Sequence, residues 1–71
     1  MYRIRELRED HDLTQTEVAQ AIRTSQQHYS KIENGKSDIY AEKLIALSRL
    51  YHVSVDYILG LTNNRHSQNE K

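Results

Sequence analysis

The chain has 71 residues, 10 Lys+Arg against 10 Asp+Glu, 37% hydrophobic residues, and no Cys, Pro, Trp or Phe. That length supports one domain around one small core, which excludes a multidomain enzyme and any fold needing a long parallel sheet. Without cysteine there is no disulfide, no thiolate zinc module and no iron–sulfur cluster, so packing alone must hold the fold.

No apolar run approaches the ~20 residues that cross a bilayer, and MYRIRELRED is too charged for a secretory signal. The expectation is a soluble intracellular domain with no membrane association, complete or nearly so. Net charge is zero, and its blocks nearly cancel: −1 over 1–12, +1 over 13–36, −1 over 37–60 and +1 over 61–71. Charge balance therefore neither supports nor excludes a nucleic-acid face.

Ile4 and Leu7, among charged residues, predict a short amphipathic helix that ends at His11-Asp12. Thr14-Gln15-Thr16-Glu17 is a capping box, so a second helix follows with Val18, Ala19 and Ile22 inward. Ser25 is a good N-cap for a third helix, on which Tyr29 and Ile32 form a narrow apolar face before Asn34-Gly35. Ala41, Leu44, Ile45, Leu47, Ser48 and Tyr51 give the most regular helical face. A last short helix runs from an N-cap at Ser54 through Val55, Ile58 and Leu59 to Gly60. Residues 61–71 read as a polar, flexible C-terminal tail after a 1–60 domain. The fold class is all-α, with five short helices.

Gln15 to Lys36 is the informative stretch. Two helices joined by about three residues favour the sharp crossing of a helix-turn-helix unit over an antiparallel hairpin. Ala19 permits close approach, and Val18, Ile22, Tyr29 and Ile32 fill the angle. Gln26, Gln27, Ser30 and Lys31 are left on the outer face of the third helix. A glutamine amide presents the donor–acceptor pair that matches adenine N6 and N7 in the major groove. Ordinary solvated surface is the bland reading, and the surrounding motif outweighs it.

Leu13-Thr14-Gln15-Thr16-Glu17-Val18-Ala19, the run to Ile32-Glu33-Asn34-Gly35-Lys36, Leu44 to Leu47 and Val53 to Gly60 together resemble the lambda-repressor-like, Cro/C1-type (Xre) helix-turn-helix family. The resemblance covers about residues 3–60. It implies five helices with the third as recognition helix, and Gln26, Gln27 and Lys31 as base readers with Ser30 beside them. It places Gln15 at a phosphate-anchoring helix start, and Asn34, Gly35 and Lys36 in a second backbone-contacting stretch. It also pairs Arg8 with Glu33, an architectural ion pair rather than a DNA contact, since a bare glutamate would repel phosphate.

Two departures from the family stand out. Arg23 occupies a turn position that is commonly glycine, so either it carries ~1 kcal/mol of left-handed strain or the turn is rebuilt. Its charge would then lie near phosphate. Tyr29 replaces a β-branched residue; its ring fills the core while its hydroxyl needs a partner. His52, likewise, stands where a glycine commonly closes the fourth helix.

His11, His28, His52 and His66 have no metal-ligand spacing, and His28 is expected to face solvent. No phosphate loop, nucleophile elbow or HExxH is present, so no cofactor, metal or enzyme activity is expected. The expected function is a cytoplasmic transcriptional regulator of a bacterium or phage, binding double-stranded operator DNA as a homodimer. Val55, Tyr57, Leu59 and Leu61 either form the dimer face or close the monomer core. Three rivals keep the fold: an antitoxin or restriction–modification controller with a protein partner, an adaptor without DNA binding, and a piece of a longer repressor.

Overall fold

Five helices follow one another in a computed structural model that describes residues 2–65: α1 (Ile4–Asp10), α2 (Gln15–Ala21), α3 (Gln26–Glu33), α4 (Ala41–Tyr51) and α5 (Val55–Ile58). Three starts are capped by the residues that the sequence nominates. Thr14 Oγ1 accepts from Glu17 N at 3.1 Å while Glu17 Oε1 accepts from Thr14 N at 2.9 Å. Ser25 Oγ accepts from His28 N at 3.1 Å, and Ser54 Oγ from Tyr57 N at 3.0 Å. Each such cap stabilises its helix by about 1 kcal/mol.

The helix ends share one geometry. A left-handed residue follows or closes each helix: Asp12, Arg23, Gly35, His52 and Gly60, with φ between 56° and 78°. In each case the next backbone N–H bonds back five residues, as in Leu13 to Arg8, Thr24 to Ala19, Lys36 to Lys31, Val53 to Ser48 and Leu61 to Asp56. These are Schellman closures, which favour glycine because a Cβ crowds the left-handed conformation. Only two of the five positions are glycine. Arg23, at φ 61°, keeps the left-handed turn rather than rebuilding it. Lys43 braces that turn, its Nζ donating to the carbonyls of Ile22 and Arg23, each at 2.9 Å.

The core gathers Ile4 and Leu7 from α1, Val18, Ala19 and Ile22 around α2, Tyr29 and Ile32 from α3, Leu47 and Tyr51 from α4, and Val53 and Ile58 around α5. Tyr29 is its largest fully buried side chain. The Tyr29 and Tyr51 hydroxyls have no hydrogen-bond partner among the described residues, so the partner expected for Tyr29 is not found there. Burial first, then the adjacent Glu33 carboxylate, pushes the Tyr29 phenol well above its ordinary value.

The wide apolar face expected on α4 is divided. Leu47 and Tyr51 are buried, Leu44 is half-buried, and Ala41 and Ile45 are exposed. At 3.6 residues per turn Ile45 lies about 160° around the helix from Leu47, beyond what the neighbouring helices cover.

Arg3 joins the start of α1 to the chain after α5. Its backbone N–H bonds Ile58 O at 2.8 Å, and its guanidinium donates to Thr62 O at 3.2 Å and Asn63 Oδ1 at 2.9 Å. The expected tail lies outside the described residues from His66 onward. Among the described residues no helix is long and apolar enough to cross a membrane.

Candidate nucleic-acid interface

α2 and α3 pack directly against each other, and their inward residues leave one polar side of α3 facing out. A shallow, open concavity of about 490 Å³ is lined there by Gln15, Gln26, Gln27, Ser30, Lys31, Asn34 and Lys36. Gln15 enters from the first turn of α2. Gln26 and Gln27 come from the first turn of α3, Ser30 and Lys31 from its next turn, and Asn34 and Lys36 from its closure. The 3.6-residue period explains the grouping, since positions 27 and 31, or 26 and 30, lie one above the other.

Two residues named with this group lie apart from it. Gly35 faces a separate cavity lined by Tyr2, Ile4, Ile32, Glu33, Ser37 and Asp38. Arg23 is exposed at the α2–α3 turn and does not line the concavity. His28, expected to face solvent, is half-buried: its ring stacks on Tyr40, with centroids 6.3 Å apart and planes inclined by 21°.

Behind the exposed side, the only acidic residue of α3 is turned inward. Glu33 is 7% exposed, and its carboxylate is held by two arginines from α1. Arg8 Nε donates to Oε2 at 3.0 Å and an Arg8 terminal nitrogen to Oε1 at 2.8 Å, a bidentate fork; Arg5 Nε donates to Oε1 at 3.0 Å. Arg8 also donates to Leu13 O at 3.0 Å, tying the α1–α2 connection to the same group. Burial pushes the Glu33 carboxyl up, but the hydrogen bonds from Arg8 and Arg5 outweigh it and hold the group at about 2, against an ordinary 4.5. The Arg8 guanidinium is raised, chiefly by its hydrogen bonds to Glu33. The negative charge on α3 is thereby neutralised away from the concavity, where Lys31 and Lys36 supply exposed positive charge.

Arg5 and Lys43 are contributors that sequence reasoning did not nominate. Arg5 lies three residues before Arg8, hence on the same side of α1, but that spacing does not say that Glu33 comes within reach of both. Lys43 had none, because the carbonyls it caps lie about twenty residues earlier in the chain.

Of the dimer-face candidates, Val55, Tyr57 and Leu59 are half-buried, and Leu61 is 73% exposed. The Tyr57 ring is flanked by the guanidinium groups of Arg3, 4.5 Å from its centroid, and Arg65, 5.4 Å away. Among the described residues no group of three or more His, Cys, Asp or Glu could hold a metal ion.

A family model described as helix-turn-helix matches residues 4–58. The chain is 44% identical over 62 residues to the uncharacterized HTH-type transcriptional regulator YobD of Bacillus subtilis (strain 168), covering 87% of this chain and 55% of that protein. It is 36% identical over 58 residues to the HTH-type transcriptional regulator ImmR of the same organism, covering 82% and 46%. It is 37% identical over 57 residues to the antitoxin PezA of Streptococcus pneumoniae serotype 4 (strain ATCC BAA-334 / TIGR4), covering 80% and 36%. The chain thus spans about half the length of these relatives, or less. No solved structure gives a significant match. Five short helices, a helix-turn-helix at α2–α3 and these matches place the chain in the Xre-type, lambda-repressor-like helix-turn-helix family of transcriptional regulators.

Proposed function

We propose that this chain binds double-stranded DNA sequence-specifically and represses transcription by occupying a palindromic operator. One observation carries the reading: the amides, hydroxyl and lysine of α3, with Asn34 and Lys36 just beyond it, converge on a single exposed concavity while the helix's one carboxylate is buried behind them. In this reading Gln26, Gln27 and Lys31 meet base edges in the major groove, with Ser30 beside them. Gln15, Asn34 and Lys36 contact the sugar–phosphate backbone, joined by Gly35 and, from the turn, Arg23. Arg8 and Glu33 stay out of the contact and hold α1 to α3. Binding relies on these local contacts, because a chain of zero net charge has little long-range attraction for DNA.

A single domain of this size makes few base contacts, so the proposal includes a homodimer with half-sites ~34 Å apart or a multiple of that. Val55, Tyr57, Leu59 and Leu61 are the proposed dimer face. An operator-bound dimer that survives polar substitutions at Val55 and Leu61 would remove that assignment. A second reading, an antitoxin with a protein partner, is favoured by the likeness to the antitoxin PezA. Co-purification of such a partner, with operator binding only in its presence, distinguishes it. The site of action is proposed to be the bacterial cytoplasm, on the nucleoid, with a bacterial or phage origin for the chain.

The deciding experiment is selection of bound duplexes from a random-sequence pool at about physiological salt, where non-specific phosphate binding is suppressed. A recovered palindrome supports specific, two-fold recognition; recovery at background refutes it for the chain alone.

A further inference from the structure

Arg5 reaches two groups at once. Its Nε donates to Glu33 Oε1 at 3.0 Å, and a terminal nitrogen donates to Asn34 Oδ1 at 2.7 Å. A guanidinium has no acceptor, so the amide atom facing it must be the oxygen. The orientation of Asn34 is therefore dictated by chemistry, and its Nδ2 points the other way, 3.4 Å from Ser30 Oγ. Ser30 and Asn34 both line the concavity assigned to DNA.

We propose that Arg5 is a positioning residue for DNA binding: by holding Oδ1, it keeps the Asn34 amide turned so that a donor faces the concavity. The inference rests on the function proposed above and deepens it. Phosphate oxygens only accept hydrogen bonds, so an Asn34 flipped by 180° would set its carbonyl oxygen against them. Glu33 makes the device rigid. Its carboxylate is fixed by the Arg8 fork, it fixes the plane of Arg5, and the second arm of that plane fixes Asn34. The same chain continues to Ser30, whose oxygen accepts from Asn34 and whose proton is left free to donate outward. The Arg5 side chain is 54% exposed, so its pairing adds little to stability, and orientation is its main effect.

Arg5→Lys separates position from charge. Lysine keeps the positive charge but lacks the planar fork that bonds Glu33 and Asn34 together. Affinity for the recovered duplex is measured for wild type, Arg5→Lys, Asn34→Ala and the double variant, with thermal unfolding confirming that each is folded. Arg5→Lys is expected to weaken binding about two- to tenfold, the worth of one hydrogen bond, and to have no further effect in the Asn34→Ala background. Equal weakening in both backgrounds, or none in either, overturns the proposal. The side-chain NH₂ resonances of Asn34 give a readout that does not need DNA. A dispersed pair in the wild type that moves toward free-amide positions in Arg5→Lys supports positioning, and an unmoved pair overturns it. A wild-type chain that retains no duplex defeats the proposed function, and the resonances then decide the Asn34 orientation separately.

Discussion

The two sides of α3 both carry charge and treat it in opposite ways. On the outer side Gln26, Gln27 and Lys31 are exposed, and their polar groups are open to a partner. On the inner side Tyr29, Ile32 and Glu33 are buried, and the Glu33 carboxylate is fully committed to Arg8 and Arg5. A negative charge on α3 is thus tolerated because it is withdrawn from the surface and matched by cations from α1. The difference separates fold from function on one eight-residue helix. Inner-side changes should register in stability, and outer-side changes in DNA affinity.

The largest expected effect is on the inner side. Glu33→Ala leaves the Arg8 guanidinium largely desolvated and unpaired, which costs about 3–5 kcal/mol. The Arg8→Ala/Glu33→Ala double variant should lose less than the sum of the single losses. Urea unfolding of the three variants checks this; additive losses would mean that the pair is not coupled.

Acid tests the same group without mutation. Because its folded pKa, about 2, lies below its ordinary 4.5, the unfolded chain takes up the proton first as pH falls. The Glu33 contribution is therefore complete above about pH 5 and lost between about pH 5 and 2, a change of about 3 kcal/mol. Comparing the pH dependence of the unfolding midpoint in wild type and Glu33→Gln isolates this share, and identical profiles would contradict it.

Outer-side changes are expected to be smaller and to leave the melting temperature alone. Gln26→Ala and Gln27→Ala should each cost about 1–3 kcal/mol on the recovered operator and relax preference at one base position. Equal weakening on every duplex would reassign the glutamines to backbone contact. Lys36→Ala should weaken all sequences alike and reduce the salt slope by about one.

Arg23→Gly crosses the two categories. Relief of the left-handed strain should stabilise the fold by up to ~1 kcal/mol. A parallel loss of DNA affinity would show that the side chain meets phosphate; unchanged affinity would leave Arg23 a turn residue alone.

Much of this fold is legible locally. Thr14, Ser25 and Ser54 mark helix starts because a capping bond spans three residues, and Gly35 and Gly60 mark ends because only local backbone freedom is involved. The left-handed Asp12 was less visible, since no glycine advertises it. The polar residues of the concavity were legible as a set through helical spacing. What was not legible is which of them are tied together: Arg5 to Asn34 spans 29 residues, and Lys43 to Arg23 spans 20. Ile45 shows the same boundary from the apolar side. Helical period places it on a broad hydrophobic arc, but only the position of neighbouring helices decides where burial stops, and it remains 46% exposed.

The sequence by itself therefore determined the five helices, their order, the helix-turn-helix and the polar outer side of α3. All of these follow from interactions within one or two turns of chain, or from a period of 3.6. The tertiary structure alone decided that Glu33 is shared by two arginines, that the Asn34 amide is turned by Arg5, and that Lys43 braces the turn at Arg23. Those outcomes depend on where separate helices come to rest against one another, and no local spacing encodes the distance between them.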